Sequence, residues 1–543
     1  MTRTPTEIVD VDAKQLDDVL RRAEESLDAA DFALTKAVFQ SYAYLADLVE
    51  DKNTSIRRLR QLMFGHRTEK TEAVLGDSAS GPDPQAAASG DDGSTVGGDG
   101  AEASTPTAKP GHGRNGAATY QGGERIAVPH PSLAAGDACP ECQRGTLYGC
   151  APGVLVRIVG QAPLHSRVYQ LQKLRCHLCG KVFTAEPPAE AGAAKYEATA
   201  AAMIALLKYG SGLPFNRLEG LQRNLEIPLP ASTQWDVVQA FAPSITPAFA
   251  ELLRQAAQGE VLHNDDTTVK ILELMGERGQ HAGDESESSR TGLFTSGVVA
   301  LRDGRRIALF FSGRQHAGEN LADVLVHRAG ELTKPIQMCD ALSRNLPREL
   351  ETIVANCLAH ARRQFVEIHD RFPDECRQVL EAFQVVYRND AHARQRQLSP
   401  AARLAFHQAE SGPTMEGLRV WLSRQFDERL VEPNSSLGAA IHYLLRHWEK
   451  LTLFLRQPGA PLDNNLCERA LKKAILHRKN ALFYKTQNGA RVGDLYMSLI
   501  HTCELCGANP FDYLVELQSH ADQVAAAPDH WMPWNYQDAL TSR

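Results

Sequence analysis

Residues 260–274, EVLHNDDTTVKILEL, set two adjacent carboxylates at the start of a region, 259–340, whose apolar and polar residues favour a period of two. An alternation with period two predicts a β-strand. A carboxylate in a buried strand is costly unless it is paired or bound to a cation. Asp265 and Asp266 are therefore either strand-end acids that cap a turn or meet arginine or lysine, or ligands of a metal ion.

The segments that follow extend this strand into a sheet. Three further elements are expected: a hairpin of TGLFTSGVVAL (291–301) and RRIALFFSG (305–313) closed on RDG, a helix in AGENLADVLVHRA (317–329), and a buried strand in PIQMCDA (335–341). This last strand ends at Asp340, which repeats the pattern of an acid on an apolar strand. Residues 259–345 are thus predicted to form the first part of an α/β domain.

Helix-forming sequence dominates the rest of the chain. Residues 346–455 are expected to form a helical insertion, 456–520 the second part of the α/β domain, and 521–543 a C-terminal tail. Within the second part, APLDNNLCERALKKAILHRKN (460–480) places Glu468 beside five cations: Arg469, Lys472, Lys473, Arg478 and Lys479.

Three isolated acids on separate elements could converge. If the strands at Asp265 and Asp340 are neighbours and the helix bearing Glu468 crosses them, the three carboxylates would form an all-oxygen site for magnesium. Two such ions about 4 Å apart can promote phosphodiester displacement, and the cations would then meet the flanking phosphates. The alternative is a solvated helix in which Glu468 pairs with Lys472 four residues on.

The bulk composition leaves room for a nucleic-acid partner. The chain has 543 residues, 43% of them hydrophobic, and a net charge of −8, which suffices for several domains. Residues 75–104 carry six of the acids and no base, so the remainder has a charge of −2 (−8 minus −6). Basic residues cluster locally at 56–70 and 469–491, and a phosphate backbone meets local charge rather than net charge.

No signal peptide and no uninterrupted apolar run near 18 residues is visible in the sequence, so a cytoplasmic, nucleoid-associated protein without membrane contact is expected. Eleven cysteines in a chain of this length do not suggest a disulfide framework.

The N-terminal part, residues 1–74, is predicted to be helical. A heptad seam spans its second half: Val38, Tyr42, Leu45, Val49, Lys52, Ile56, Leu59 and Met63. This spacing is typical of a leucine-zipper-like coiled coil and predicts self-association. The alternative is an amphipathic helix packed on its own domain. The acidic, Gly/Ser/Ala-rich segment 75–124 is expected to be a disordered linker.

Residues 189–258 predict a small helical domain. Three short helices joined by Gly/Pro turns are compatible with a helix-turn-helix DNA-binding unit, with Ser232 or Thr233 capping the last helix. A helical bundle without DNA contact fits the same pattern.

Residues 125–188 predict a β-rich zinc-ribbon domain. Cys139-x2-Cys142 and Cys176-x2-Cys179 are two CxxC pairs near turns, and four thiolates suit a tetrahedral structural zinc. The alternative is two unrelated pairs of buried cysteines, and Cys150 is expected to pack rather than bind.

Five motifs, taken in order, resemble the insertion-sequence 66 family of bacterial transposases: IRRLRQLMFGHRTEK, HNDDTTVKIL, IQMCDALSRN, NCLAHARRQFVE and LDNNLCERALKKAILHRKNALF. The resemblance extends from about residue 40 to 520. It implies a zipper helix, a zinc-ribbon module and a ribonuclease-H-like mixed-sheet catalytic domain with an Asp-Asp-Glu triad.

By this resemblance the triad falls on Asp265, Asp340 and Glu468. Where the family commonly has Asp-Glu after the histidine, this chain has Asp265-Asp266, and strand alternation should point only one of them at the site. The family's Cys-x2-His element falls on Cys357 and His360, followed by Arg362 and Arg363. For that element, core packing with a basic DNA-facing edge is favoured over metal binding.

A last pair, Cys503 and Cys506, is expected to pack. The resulting hypothesis is a transposase that binds terminal inverted repeats and target DNA, uses two Mg²⁺ (or Mn²⁺) ions and one structural Zn²⁺, and acts as a homo-oligomer with possible accessory proteins of the same element. Two alternatives remain: a non-catalytic zinc-containing DNA-binding regulator, and a ribonuclease-H-like nuclease without strand transfer.

Overall fold

The computed structural model describes residues 22, 32, 35–36, 128, 131–138, 140, 144, 146–149, 162–175, 182–192, 194–276, 292–348 and 350–541. The predicted zipper seam, the linker 75–124 and all four predicted zinc ligands lie outside these residues. The chain divides into two compact units. The smaller unit comprises Met1–Gly81, Leu358–Glu449 and Phe454–Pro458, and the larger unit comprises Pro82–Cys357, Lys450–Leu453 and Gly459–Arg543. Among the described helices, none is long and apolar enough to cross a membrane.

The larger unit contains all the strands among the described residues. A small antiparallel pair, β1 (Lys173–Arg175) and β2 (Val182–Thr184), precedes the main sheet. The main sheet has five strands in the order β5-β4-β3-β6-β7, which are β3 (Val261–Thr268), β4 (Phe294–Arg302), β5 (Arg305–Gly313), β6 (Ile336–Cys339) and β7 (Ile353–Asn356). The strands β3, β4 and β5 are antiparallel neighbours, whereas β6 and β7 run parallel to β3. The chain therefore forms a mixed α/β sheet with β3 at its centre.

The predicted hairpin forms with the expected turn. Asp303 and Gly304 both have positive φ, 50° and 76°, between β4 and β5. Two residues with positive φ match the right-handed twist of paired strands, and glycine adopts this conformation at little cost.

The helices of the larger unit share one hydrophobic core with the sheet. They are α1 (Ala198–Ala205), α2 (Phe215–Asn224), α3 (Ala231–Ala257), α4 (Leu272–Gly276), α5 (Ala317–Leu325), α12 (Asn465–Ala481), α13 (Gln487–Cys506), α14 (Pro510–Ser519), α15 (Ala521–Ala526) and α16 (Tyr536–Thr541). Side chains of α13 also bond to the edge strand: the hydroxyl of Ser498 accepts from the amide of Phe310 at 2.9 Å. Trp531, Met532 and Tyr536 are buried in this core, so the predicted C-terminal tail packs on the domain over its described residues, 521–541.

The part of the smaller unit that the structure describes is mainly helical. Its helices are α6 (Leu358–Ile368), α7 (Pro373–Gln395), α8 (Pro400–Glu410), α9 (Gly412–Asp427) and α10 (Ser436–Arg446), and α11 (Trp448–Leu451) follows them in the chain. Ser399 and Ser435 cap α8 and α10 through their hydroxyls. Phe365, Phe383 and Leu444 are fully buried there.

Two local predictions are wrong. Ser232 and Thr233 do not cap α3, because the helix begins at Ala231 after Pro230, and the Glu219 carboxylate accepts from the Ala231 amide instead. The helix also continues through Pro243 and Pro247 rather than ending there. Hydroxyls of Ser244 and Thr246 bond to carbonyls of the preceding turn, and burial of the helix outweighs the missing amide donors.

The predicted start of the helical insertion is also wrong. Residues 346–455 were expected to be helical, but Ile353–Asn356 form β7, which pairs with β6. A strand of four residues, Ile-Val-Ala-Asn, cannot be separated from a helix by periodicity, because it is far shorter than the window over which a period can be recognised.

Candidate active site on the central strand

The polar residues of β3 alternate between its two faces, as side chains of a strand must. On one face His263 contacts Asn464, which directly precedes α12, and Thr267 contacts Arg478 of α12. On the other face Asn264 donates to the carbonyl of Asn345 at 2.8 Å. Asp265 and Asp266 consequently point in opposite directions although they are adjacent in the chain.

Asp265 lies on the face that α12 covers. Burial raises the pKa of its carboxyl from 3.8 to about 7, and a hydrogen bond from the Asp266 amide at 2.8 Å only partly opposes this. Neighbouring negative charges raise the pKa further, and they belong to Asp340, Asp266 and Glu468. The structure therefore brings the three predicted carboxylates within electrostatic reach of one another.

Asp266 has cationic partners on the opposite face. Its side chain is 2% exposed and lies 2.9 Å from Nδ1 of His316 and 3.4 Å from Nη2 of Arg344. The His316 ring, which precedes α5, also packs on Phe294 with ring centroids 4.2 Å apart. Asp266 is thus held in an internal ion-pair cluster.

Asp340 follows β6 directly and is oriented by a polar network. Its Oδ1 accepts from the Leu342 amide at 3.2 Å and from the Asn345 side chain. The Asn345 carbonyl in turn accepts from Asn264 and from Gln337, at 2.8 and 2.7 Å. This network links the position of Asp340 to the centre of β3.

Glu468 lies in the first turn of α12, where a negative charge is favoured by the helix dipole. The helix is attached to β3 by Asn464, which precedes it and is fully buried. The Asn464 amide group donates to the Asn264 carbonyl at 3.1 Å, and its backbone amide lies 3.2 Å from Sγ of Cys357. A carboxylate oxygen of Glu468 lies within 4.8 Å of that same Sγ.

A glycine permits the close approach of α12 to the sheet. Gly297 of β4 pairs with Asp265, and its carbonyl accepts from Sγ of Cys467 at 3.3 Å. A Cβ at Gly297 would lie 3.1 Å from Leu471 and 3.4 Å from Cys467. The missing side chain therefore fixes how near Glu468 comes to Asp265.

The predicted DNA-binding cations of α12 are not equivalent. Arg469, Lys472 and Lys479 are exposed. Lys473 pairs with Glu504 at 2.9 Å, and Arg478 donates to the Thr267 and Thr268 hydroxyls at 3.1 and 2.7 Å. Arg478 therefore also joins the end of α12 to the end of β3. In the smaller unit, Arg362 is buried and Arg363 is half-buried.

The remaining cysteines divide into two groups. Cys139, Cys142, Cys176 and Cys179 lie outside the described residues, so the zinc site stays a prediction. Cys357 and Cys503 are fully buried, and Cys506 is half-buried with Sγ 3.5 Å from the Arg306 carbonyl. His360 belongs to the smaller unit.

Sequence reasoning missed the residues that orient the carboxylates. Asn464, His263 and Asn345 are all buried and hydrogen-bonded around the triad. The available signal was the run of polar residues, His263 to Thr268, in a strand otherwise suited to burial, since buried polar groups require partners.

The chain was compared with known proteins. The family model described as "Transposase IS66 family" matches residues 194–492. The chain is 27% identical over 352 residues to "Uncharacterized protein y4hP" of Sinorhizobium fredii and 26% identical over 354 residues to "Uncharacterized protein y4qI" of the same organism. Each of these alignments covers 62% of this chain and 62% of the relative, so the chain matches less than two thirds of the relatives' length. No solved structure gives a significant match.

Proposed function

This chain belongs to the IS66 family of transposases, and we propose that it is an Asp-Asp-Glu transposase acting on the terminal inverted repeats of its own element. In this proposal Asp265, Asp340 and Glu468 hold two divalent cations, Mg²⁺ or Mn²⁺. The observation that carries the proposal is the placement of the three carboxylates: Asp265 lies on β3, Asp340 directly follows the neighbouring strand β6, and Glu468 lies in the first turn of α12, which Asn464 joins to β3.

The donor set fits hard divalent cations. Three carboxylates that repel one another in a buried place are stabilised by a cation, which restores the charged form of Asp265. Carboxylate oxygens are the ligands that Mg²⁺ prefers. Asp266 is a poorer candidate ligand, since its carboxylate is already in contact with His316 and Arg344. When bound, the ions would supply Lewis-acid activation of the attacking oxygen and stabilisation of the leaving oxygen.

The chain's own residues position the reacting groups. Asn464 and Arg478 fasten α12 to β3 at its two ends, so Glu468 is held against Asp265. In the proposed reaction a water molecule attacks a phosphodiester and breaks its bond to the 3′-oxygen, which leaves a free 3′-hydroxyl and a 5′-phosphate. The 3′-hydroxyl then attacks a phosphodiester of the target DNA and displaces the target's own 3′-oxygen. No covalent intermediate with the protein is needed, because the carboxylates act as ligands and not as nucleophiles.

The DNA would lie along the exposed side of α12. Arg469, Lys472 and Lys479 are exposed on the helix that carries Glu468, and their charge suits phosphates on either side of the scissile bond. Lys473 and Arg478 make intramolecular contacts as well, so their contribution to DNA binding is combined with a structural one.

Other parts of the chain would support the same activity by binding zinc, DNA or a second copy of the protein. A structural zinc on Cys139, Cys142, Cys176 and Cys179 and the helices of 198–242 would contribute to recognition of the DNA ends, with Arg362 and Arg363 as further basic contacts. The segment from Val38 to Met63 would mediate homo-oligomerisation. Nucleoid association and accessory proteins encoded by the element are consistent with this activity.

Glu468→Gln tests the proposal. The substitution preserves size and hydrogen bonding but removes the negative charge that a cation requires. Duplexes carrying the inverted repeats that bracket the coding region should be cleaved in Mg²⁺ by the unaltered protein and bound but not cleaved by Glu468→Gln. Glu416→Gln, at an exposed position of α9, is the matched control and should cleave normally.

The same assay separates the alternatives. Binding without any cleavage by the unaltered protein would favour a DNA-binding regulator. Cleavage without joining of the freed 3′ end to a target plasmid would favour a nuclease. Normal cleavage by Glu468→Gln would exclude Glu468 as a metal ligand.

A further inference from the structure

The chain leaves α12 through a strained turn. Leu482 has φ 68° and ψ −42°, and the amide of Phe483 donates to the carbonyl of Ala481 at 2.8 Å. A hydrogen bond between residues two apart around a positive φ is a γ-turn of the rarer, strained form. Leucine has a Cβ that disfavours this conformation, so the surrounding structure must impose it.

Both apolar side chains of the turn face solvent. Leu482 is 62% exposed and Phe483 is 44% exposed. The chain is fixed on either side of them: the Leu482 amide donates to the Arg478 carbonyl at 2.9 Å, and the Tyr484 amide donates to the Lys270 carbonyl at 2.8 Å. Tyr484 itself is buried. The turn therefore presents two apolar side chains from a rigid base.

A line of exposed residues on α12 leads from the carboxylates to this turn. Its members are spaced four, three, four and three residues apart, which places them on one helical face: Asn465, Arg469, Lys472, Leu476 and Lys479. Beyond the turn, Lys485 is also exposed. The apolar turn is thus flanked by cations on the helix that bears Glu468.

The cations and the exposed apolar side chains of this surface together indicate DNA as its ligand. Cations on both sides of the apolar pair are complementary to a phosphate backbone, and apolar side chains that stand out among such cations can enter a base step and unstack it. We propose that Leu482 and Phe483 form a wedge that inserts into the DNA end during transposition. This inference rests on the proposed function, and it assigns the two residues a positioning role, not a chemical one.

The geometry also predicts where the wedge enters. Leu482 is fourteen residues beyond Glu468, which corresponds to about 21 Å along a helix. At 3.4 Å for each base pair, the affected step lies about six base pairs from the scissile phosphate. Opening the duplex at that step would fix the position of the scissile phosphate relative to the three carboxylates.

The test uses two variants of the full-length protein. Leu482→Gly removes the side chain and suits the positive φ, so the turn is retained. Phe483→Ala removes the aromatic ring. Leu430→Ala is the matched control, because Leu430 is also 62% exposed but lies in the smaller unit. All four proteins should unfold at similar temperatures.

The probe is a duplex carrying the inverted repeat that flanks the coding region, with 2-aminopurine placed at successive positions. With the unaltered protein its fluorescence should rise near the predicted step, because 2-aminopurine brightens when unstacked. Each wedge variant should lose this rise and cleave about tenfold more slowly in Mg²⁺, the size expected for one base contact. A mismatch at the same step removes the cost of opening and should restore most of the lost rate.

The outcomes that would overturn the wedge differ from those that would overturn the proposed function. If the unaltered protein cleaves while both variants keep the fluorescence rise, or if the mismatch does not rescue them, the wedge is overturned and the transposase assignment stands. If the unaltered protein does not cleave the duplex, the assignment falls and the wedge falls with it.

Discussion

The side-chain oxygen of Asn464 lies 3.1 Å from Nδ1 of His263 in the buried contact between α12 and β3. Because the Asn464 nitrogen donates to the Asn264 carbonyl, this oxygen is the acceptor and His263 carries its proton on Nδ1. Burial lowers the pKa of His263 to about 4, so the ring is neutral at pH 7. One asparagine therefore determines where the helix bearing Glu468 begins, relative to the strand bearing Asp265.

Asn464→Ala should impair catalysis without removing a ligand. The change leaves the His263 ring and the Asn264 carbonyl with fewer partners, which should cost about 1–3 kcal/mol of unfolding free energy. Glu468 should then be held less firmly, and cleavage of the inverted-repeat duplex should fall at least tenfold, as expected when a reacting group is misplaced. Urea unfolding and the cleavage assay measure the two effects. Asn434→Ala, at an exposed position of the smaller unit, should change neither.

The adjacent acids of β3 should respond in different ways. Asp265→Asn should abolish cleavage and leave the protein at least as stable, because it removes a buried charge that burial and three other carboxylates disfavour. Asp266→Asn should lower the unfolding free energy by about 1–3 kcal/mol, since it removes the carboxylate that Nδ1 of His316 and Nη2 of Arg344 contact. Equal loss of cleavage with unchanged stability for both variants would contradict this division of roles.

Gly297→Val tests the close packing of α12 on β4, because valine improves the strand propensity of this position but adds a side chain between the helix and the strand. Valine is favoured in strands, but a side chain at this position would meet Leu471 and Cys467. The expected result is a loss of about 1–3 kcal/mol of unfolding free energy, together with slower cleavage as α12 moves away from β4. At Gly313, at the end of β5, an added Cβ meets nothing within 4 Å, so Gly313→Val is the control. Similar behaviour of the two variants would show that α12 does not depend on this close approach.

The smaller unit should have a carboxylate-dependent stability at low pH. Burial alone would raise the pKa of Asp390, but a hydrogen bond with His407 and the charge of Arg403 outweigh burial and lower the pKa from 3.8 to about 2. The ionised form is therefore favoured by folding, and its contribution is present above pH 4 and lost as the pH falls toward 2. At pH 7 this contribution is about 2 kcal/mol.

Asp390→Asn should remove that contribution. Its unfolding free energy should lie about 2 kcal/mol below that of the unaltered protein at pH 7, and the difference should shrink between pH 4 and pH 2. Urea titrations across this range test the prediction, with Asp427→Asn as the exposed control. A difference independent of pH would mean that the side chain acts through its shape and not its charge.

Much of the fold follows from the sequence alone. The strand around Asp265, the hairpin turning at Asp303, and the apolar run that ends at Asp340 each depend on residues a few positions apart, and such local patterns indicate a strand. The contrast between Glu468 and the cations that follow it likewise indicates an unusual helix before any neighbour is known.

The local pattern of residues does not distinguish the two adjacent acids of β3, and the tertiary structure turns Asp265, to which the resemblance assigns the triad position, toward α12. The tertiary structure also decided that Asn464 and Gly297, separated from Asp265 by many residues, set its distance from Glu468. The same holds for β7, whose four residues are a strand because β6 lies beside them, and for α3, which continues past two prolines because it is buried. Packing between distant segments determines these features, and a period of two or 3.6 residues contains no information about which element will cover a given face.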